Sequence, residues 1–422
     1  MDQPDGPKAH DLRERRGRFV ENLPLAQFYH VAADDAQPYH VFGGLQDNGS
    51  WRGAAETFDV GGLRNLHWQE VAFGDGFDTV PAPEIPNTGY GMSQGGNLSR
   101  WNLDTGEQRA IRPNPPAPDT ELRFNWSAGF AIDPFDPATV YYGSQYLHKS
   151  TDRGLSWTTI SEDLTTNNPD WQDFRTSGGI TLDVTAAENY TTIITVAPSP
   201  LEQGVIWVGT DDGRVHVTRD GGGRWTSVEE RVPGVPDNTW VPMIYPSPHD
   251  AGSAYVVFDN HRRGDFTPYV FLTRDYGRSW ESLADDSLRG YALSVLQDPV
   301  DPDLLWLGTE FGLFLSADGG DNWTKFTAGI PTASVMDLAF QARENDLVVG
   351  THGRGIYIID DVSPLRNLDA DSMQERLVLL GATDGQQYDS NPVIAGRFWG
   401  NGEFVAENEA YGVVLTFAAA GD

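Results

Sequence analysis

Residues 205–225, VIWVGTDDGRVHVTRDGGGRW, contain the pattern of a strand, a tight turn, a second strand and a second turn that ends on a tryptophan. The segments 205–209 and 215–218 are rich in β-branched residues at alternating positions, which is the pattern of a half-buried strand. Asp211-Asp212-Gly213 between them predicts a hairpin turn, because glycine readily adopts the positive φ that such turns require. The stretch therefore predicts an antiparallel hairpin followed directly by another turn.

The second turn matches the spacing S/T-x-D-x-G-x-x-W, which occurs four times in the chain. The Asp and Trp of the four copies are Asp152 and Trp157, Asp220 and Trp225, Asp275 and Trp280, and Asp318 and Trp323. We interpret these residues as structural, with the Asp accepting backbone N–H bonds within the turn and the Trp packing between neighbouring sheets. Recurrence of one spacing indicates a repeat protein.

The hairpin itself recurs seven times, and a further apolar strand precedes each copy. The copies lie at 41–51, 90–101, 141–152, 207–220, 255–275, 306–320 and 348–361. Their spacing of about 42–66 residues is typical of propeller blades. We predict an all-β chain that forms a seven-bladed β-propeller of four-stranded antiparallel blades. A solenoid is the alternative, but four-stranded antiparallel units favour a ring, which protects the sheet edges by closure.

The pattern divides the chain into three parts. Residues 1–24 are a lead-in, residues 25–362 form the propeller, and residues 363–422 form an extension that either completes the last blade or begins a truncated domain. We expect the chain to be part of a larger chain or complex.

Composition excludes several classes of function. A net charge of −32 argues against nucleic acid as a partner, because phosphate binding needs a basic face. The absence of cysteine excludes disulfides and thiol chemistry. The sequence contains no apolar run of about 18 residues, so we predict no membrane span. We expect a periplasmic or secreted protein, although the polar N-terminus contains no signal segment.

The four S/T-x-D-x-G-x-x-W motifs resemble the Asp-box, or BNR repeat, of sialidases, xyloglucan-active glycosidases and the sortilin ectodomain. Together with GGLQDNGSW, GDGF, SQGGNLSRW, GTDDG and GTHGRGIYIIDD, they resemble a large bacterial family of sortilin-like or glycosyl-hydrolase-type repeat proteins. The resemblance covers roughly residues 22–366. It implies an Asp-box propeller, but it does not imply one activity.

A column of polar residues follows the second strand of each repeat. Its members are Gln46, Gln94, Gln145, Asp211, Asp259, Glu310 and His352. In a closed ring these side chains would surround one mouth of the central channel, as a ligand-binding face or as solvated turn residues. Clustering of Asp211, Asp212, Asp259 and Glu310 on consecutive repeats predicts a Ca²⁺ site. We expect no other cofactor.

The loops that enter the first strand of each repeat carry aromatic residues to the same face. These are Trp126, Tyr190, Trp240 and Tyr291, and Arg354 lies in the last repeat. Aromatic rings beside amides and carboxylates suit sugars, and they suit peptides equally well. We therefore expect a glycan or a protein partner.

Two functions remain open at this stage. The first is a non-catalytic binding or assembly module that engages its partner through the channel face. The second is a glycoside hydrolase that uses a carboxylate pair drawn from Asp75, Asp211, Asp259 and Glu310. A xyloglucanase-like cleft needs two propellers, as the resemblance implies, and this chain contains one. We therefore favour the non-catalytic module.

Overall fold

The computed structural model describes residues 25–59, 61–173, 189–368, 375–385, 387, 389, 404–408 and 412–419. Within these residues the chain forms seven antiparallel sheets of three or four strands that follow one another along the sequence, and two further two-stranded sheets. Six of the sheets have four strands, and the seventh has three described strands. The predicted seven-bladed β-propeller is therefore confirmed.

Blades 1 to 3 are built from consecutive strands, and the short strand β4 lies outside their sheets. In chain order these strands are β1 (Phe28–Ala33), β2 (His40–Leu45), β3 (Gly49–Ala54), β4 (Leu63–Arg64), β5 (Trp68–Ala72), β6 (Thr79–Pro81), β7 (Thr88–Ser93), β8 (Asn97–Asn102), β9 (Glu107–Ala110), β10 (Phe130–Ile132), β11 (Val140–Gly143), β12 (Leu147–Ser150) and β13 (Thr158–Thr159).

Blades 4 to 7 repeat the same arrangement. Their strands are β14 (Ile193–Pro198), β15 (Ile206–Thr210), β16 (Val215–Thr218), β17 (Trp225–Ser227), β18 (Trp240–Pro246), β19 (Ala254–Asp259), β20 (Tyr269–Thr273), β21 (Glu281–Ser282), β22 (Ala292–Gln297), β23 (Leu305–Thr309), β24 (Gly312–Ser316), β25 (Thr324–Phe326), β26 (Val335–Gln341), β27 (Asp346–Thr351) and β28 (Ile356–Ile359).

The C-terminal extension forms strands of its own. β29 (Leu377–Ala382) pairs with β31 (Leu415–Ala419), and β30 (Val405–Ala406) pairs with β4 of the first repeat. Within the described residues β28 is the outermost strand of blade 7. The domain boundaries at 24 and 362 remain predictions, and the lead-in 1–24 lies outside the described residues.

Within the described residues, helical structure is confined to short segments. α1 (Pro169–Gln172) is a single turn, and 3₁₀ turns occupy Asn65–His67, Glu229–Arg231, His261–Arg263 and Ser363–Asn367. Among the described residues, no helix has the length and apolar character needed to cross a membrane.

Glycines at the end of the second strand allow neighbouring blades to pack closely. A Cβ at Gly308 would lie 2.2 Å from the hydroxyl of Ser294 and 2.7 Å from the carbonyl oxygen of Val335 in the next blade. Similarly, a Cβ at Gly350 in blade 7 would lie 2.7 Å from the Val31 side chain of blade 1. The Gly-Thr pair at the end of β23 and of β27 thus marks where adjacent blades approach one another.

Side-chain hydrogen bonds join blade 7 to blade 1. The backbone N–H of Val31 donates to Asp337 Oδ2 at 3.0 Å, and the hydroxyl of Tyr39 donates to Asp346 Oδ2 at 2.7 Å. Both carboxylates lie in blade 7, more than 300 positions along the chain from their donors. The two ends of the repeat array therefore meet and close the ring.

The four S/T-x-D-x-G-x-x-W turns share one geometry. In the blade 6 copy, Asp318 Oδ1 accepts bonds from the Ser316 hydroxyl at 2.7 Å and from the Asn322 N–H at 2.9 Å. The Trp323 indole then donates to the carbonyl of Leu283, just after the last strand of blade 5, at 2.8 Å. The turn thus links its own blade to the preceding one, and none of its residues lines the central cavity.

Candidate functional site

The inner strands of the ring surround a cavity of about 910 Å³. Apolar residues of β14, β18 and β22 form part of its wall, and polar groups cluster in two places. One cluster lies on the inner strands of blades 1, 2 and 7, and the other lies on the blade 5 loop. Such a cavity with a few convergent polar groups is the usual form of a ligand site.

The first cluster centres on His30 of β1. His30 Nδ1 lies 3.4 Å from Asp337 Oδ2 of β26 and 3.9 Å from Asp78 Oδ1, which directly precedes β6. On the other side of the imidazole, His30 Nε2 lies 3.1 Å from the hydroxyl of Ser127. All four side chains line the cavity, so three blades and one loop contribute to a single polar group.

These contacts alter the acid–base behaviour of the cluster. Burial alone would lower the pKa of His30, but the charges of Asp78 and Asp337 and the bond to Asp337 raise it to about 9. Burial raises the pKa of Asp78 to about 6, with a contribution from the Asp337 charge and against the effect of His30. At neutral pH the cluster therefore holds an imidazolium beside two carboxyl groups.

The second cluster lies on the blade 5 loop that follows β19. His261 Nδ1 lies 2.7 Å from Asp259, and its ring stacks on Tyr291 at 4.3 Å. The guanidinium of Arg262 lies 3.9 Å from the centre of the Trp240 ring and 3.6 Å from Asp259 Oδ2. Asp259 is 4 % exposed, so one buried carboxylate orients both the imidazole of His261 and the guanidinium of Arg262 at the cavity wall.

Three of the seven residues of the predicted polar column hold backbone and do not line the cavity. Gln94 Oε1 accepts from the Asp75 N–H at 3.0 Å, and Gln145 Oε1 accepts from the Arg123 N–H at 2.9 Å. Asp211 accepts from the N–H and hydroxyl of Thr192 at 2.8 and 2.6 Å. These side chains fasten the segment that enters the first strand of their own blade.

The other predicted column members differ in position. Asp259 and His352 line the cavity. Gln46 is not among the cavity-lining residues, and it accepts a hydrogen bond from the hydroxyl of Tyr29, which lines the cavity. Asp75 is buried and accepts from the Asp47 N–H at 2.8 Å, and neither Asp75 nor Glu310 is among the cavity-lining residues. Of the four carboxylates predicted as catalytic candidates, the structure therefore brings Asp259 to the cavity and leaves the other three outside its wall.

The structure does not bring the predicted calcium ligands together at the cavity. Asp211 and Asp212 are fully buried, and Asp212 accepts bonds from Thr166 and Thr210. Burial and the neighbouring Asp212 raise the pKa of Asp211 well above its ordinary value. In the part of the chain that the structure describes, no three His, Asp or Glu side chains are grouped so that they could hold a metal ion.

The predicted aromatic residues also differ in access. Trp126 lines the cavity, and Tyr190 is buried, with its hydroxyl 3.0 Å from Arg263. Trp240 and Tyr291 line the cavity, but Arg262 and His261 each cover one ring face. Arg354 is exposed and lies outside the cavity wall.

Sequence reasoning did not identify His30, Asp78, Ser127 or Asp337. For His30 and Asp337, the signal that could have found them is a charged residue within an otherwise apolar inner strand, as in FYHVAA and VMDLAFQ. Asp78 directly precedes β6 and Ser127 lies in the loop before β10, so neither gives that signal. A charged residue facing a buried wall is costly unless it is paired, so each such position suggests a partner on another blade.

Comparison with known proteins finds similarity to xyloglucanases over part of the chain. No family model matches the chain. A probable oligoxyloglucan-reducing end-specific xyloglucanase of Neosartorya fischeri is 32% identical over 185 residues, which are 40% of this chain and 20% of that protein. The corresponding xyloglucanase of Emericella nidulans is 25% identical over 224 residues, which are 50% of this chain and 24% of that protein. The chain thus spans about a quarter or less of these curated relatives.

The prediction of a non-catalytic binding module is wrong on this comparison. Both curated relatives carry the name of a glycoside hydrolase, and neither is described as a binding or assembly module. The reasoning failed because it treated a single propeller as too little for a hydrolytic site and overlooked the carboxyl groups on the inner strands. The alternative hypothesis, a glycoside hydrolase, is the better supported of the two.

Solved structures share the fold at low sequence identity. The GH74 xyloglucanase from Xanthomonas campestris has a TM-score of 0.57 at 18% identity and covers 81% of this chain and 53% of its own. The GH74 enzyme of Niastella koreensis has a TM-score of 0.54 at 17% identity, with 87% and 57% covered. YCF48 bound to a D1 peptide has a TM-score of 0.52 at 13% identity, with 81% and 95% covered. The chain is therefore a β-propeller of the fold that these proteins share.

Proposed function

We propose that the chain belongs to a glycoside hydrolase that acts on a polysaccharide of the xyloglucan class, with Asp78 and Asp337 as its carboxylate pair. The observation that carries the proposal is the convergence of these two acids on His30 in the central cavity. The names of the curated relatives supply the substrate class.

The geometry of the pair suits hydrolysis of a glycosidic bond. Since one oxygen of each acid lies within 3.9 Å of His30 Nδ1, these two oxygens are at most about 7 Å apart. Glycoside hydrolases separate their two carboxyl groups by about 5–5.5 Å when they retain configuration and about 6.5–9.5 Å when they invert it. This upper bound is compatible with either separation, and the anomer released first would identify the mechanism.

The two acids have environments that suit different roles. The pKa of Asp78, raised to about 6, keeps it protonated in mildly acidic solution, as a general acid requires. Asp337 accepts bonds from the backbone N–H groups of Val31 and Leu338 at 3.0 and 2.9 Å, which fix its position beside His30. We assign Asp78 to protonation of the leaving group and Asp337 to the role of base or nucleophile.

Release of reducing ends from xyloglucan tests the proposal. Asp78→Asn and Asp337→Asn should each lower kcat by about a hundredfold or more, because general acid or base catalysis contributes on that order. Asp286→Asn, at an exposed position outside the cavity, is the matched control and should retain activity. Unchanged turnover in both cavity variants would reject this pair, and absence of hydrolysis by the wild-type protein would reject the function.

We also propose that the chain is an Asp-box propeller of the sortilin-like or glycosyl-hydrolase type, because its four S/T-x-D-x-G-x-x-W turns share one geometry. The bonds of Asp152, Asp220, Asp275 and Asp318 to the backbone N–H four residues later support this assignment. A polysaccharide substrate favours a periplasmic or secreted location and a glycan partner. A protein partner remains a prediction from the sequence.

A further inference from the structure

The loop between the second and third strands of blade 5 differs in length from its counterparts. It runs over residues 260–268, whereas the same connection has two to four residues in the other six blades. Long loops on a rigid scaffold commonly carry binding residues. This loop carries His261 and Arg262 to the wall of the cavity.

Several bonds hold the loop in one conformation. Asp265 Oδ2 accepts from Asn260 Nδ2 at 3.0 Å and from the Tyr269 hydroxyl at 2.9 Å. Arg263 donates to the Asn238 carbonyl and to the Tyr190 hydroxyl, which ties the loop to the segments that enter blades 5 and 4. The loop is therefore preorganised, which reduces the entropy that ligand binding would cost.

Among the described residues that line the cavity, Arg262 is the only one with a Lys or Arg side chain. Its guanidinium packs on Trp240, and its nearest approach to Asp259 is 3.6 Å, too long for a hydrogen bond. Asp259 thus orients the guanidinium without occupying its N–H donors, and 41 % of the side chain is exposed. A planar guanidinium held in this way suits bidentate binding of a carboxylate.

We propose that Arg262 and His261 form a subsite for the carboxylate of a uronic acid residue, so that the preferred substrate is an acidic glycan. This inference rests on the proposed glycoside hydrolase activity, and it changes the expected preferred substrate from the neutral polymer named for the curated relatives to a glycan that carries uronic acid. The subsite lies on blade 5, and Asp78 and Asp337 lie on the inner strands of blades 2 and 7, so the anionic sugar binds apart from the two acids. His261 Nδ1 is held by Asp259, which leaves Nε2 as the ring nitrogen that a ligand can reach.

Binding of cellobiouronic acid and of neutral cellobiose, followed by NMR titration, tests the subsite. The wild-type protein should bind the uronate about tenfold more tightly at low salt, as expected for hydrogen bonds to a charged group. Arg262→Gln should abolish this preference, and Arg262→Lys should restore only part of it, because an ammonium cannot form the bidentate contact. The preference should also decrease at high salt.

Arg274→Gln is the matched control, because it removes one positive charge at an exposed pair with Glu281, outside the cavity. It should preserve the preference for the uronate. Equal binding of the two sugars by the wild type, no binding of either, an unchanged preference in Arg262→Gln, or equal loss in Arg274→Gln would overturn the subsite. Tight binding of a peptide carboxylate in place of the uronate would also overturn it.

Xyloglucan hydrolysis, measured in parallel, separates the two proposals. Hydrolysis of the neutral polymer without a preference for the uronate would leave the proposed function standing and reject the subsite. Preference for the uronate without hydrolysis of any glycan would reject the proposed function and leave a uronate-binding site.

Discussion

His30 of blade 1 and Asp337 of blade 7 lie 3.4 Å apart, although 307 positions separate them in the sequence. The contact exists only because the ring closes, and it brings Asp78 of blade 2 into the same group. Closure of the propeller and assembly of the candidate site are therefore the same structural event. This relationship leads to predictions for both stability and activity.

Removal of the His30 ring should reduce stability in a pH-dependent way. Because the two acids raise the pKa of His30 from 6.5 to about 9, its contribution is fully present below pH 6.5 and is lost as pH rises through about 9. The Tm difference between the wild type and His30→Gln should therefore be largest near pH 6 and small above pH 9. Thermal unfolding from pH 5 to 10 measures it, with exposed His249→Gln as the control. A difference that grows with pH would contradict the assignment.

The same cluster should control the alkaline limb of activity. Asp78 must be protonated to act as the acid, so kcat/KM for xyloglucan should decrease as pH rises above about 6. Because the His30 charge lowers the pKa of Asp78, His30→Gln should shift this limb to higher pH. Rate profiles from pH 4 to 8 measure the shift. An unmoved limb in His30→Gln would exclude Asp78 as the group that titrates.

The blades were predictable from sequence because their signals are local. The hairpin around Asp211-Asp212-Gly213 and the turn that ends at Trp225 each lie within a few residues, and repetition along the chain identifies the ring. Polar residues at strand ends were harder to interpret, because a side chain such as Gln145 can either bind a ligand or hold nearby backbone. The structure shows that Gln145 holds the backbone of Arg123 and Glu121.

The candidate acids could not be paired from sequence for a different reason. Asp78 and Asp337 belong to repeats at opposite ends of the chain, and their proximity depends on the number of blades and on closure. Inspection of each inner strand for a charged residue would have found Asp337, and extending it to the residue before β6 would have found Asp78, but neither would have shown that the two acids share His30. Long-range pairs of this kind need the tertiary structure.

The Trp323 indole should contribute a measurable bond between blades 5 and 6. Trp323→Phe keeps most of the packing and loses the bond to the Leu283 carbonyl, which should cost about 1–2 kcal/mol of unfolding free energy. Trp280→Phe is the matched control at the same motif position, because the described residues offer its buried Nε1 no hydrogen-bond partner. Urea unfolding should therefore show a larger loss for Trp323→Phe. Equal losses would assign the effect to packing alone.

The hydrogen bond between Tyr39 and Asp346 should help to hold the ring closed. Both side chains are buried, and the Tyr39 hydroxyl donates to Asp346 Oδ2 at 2.7 Å across the junction of blades 1 and 7. Tyr39→Phe leaves a buried carboxylate oxygen without this donor and should cost about 1–3 kcal/mol. Hydrogen exchange should then accelerate mainly in β1, β2, β26 and β27, because the junction opens before the other blades unfold.

Tyr141→Phe provides the control for this junction. Its hydroxyl donates to Asp133 Oδ2 at the same distance of 2.7 Å, but both residues belong to blade 3. It should lower the overall stability by a similar amount without accelerating exchange in blades 1 and 7. If both variants change exchange in the same strands, the Tyr39 bond adds general stability and does not act specifically in closure. If only Tyr39→Phe does so, the junction is the point at which the propeller opens, and the His30 cluster should lose its arrangement there first.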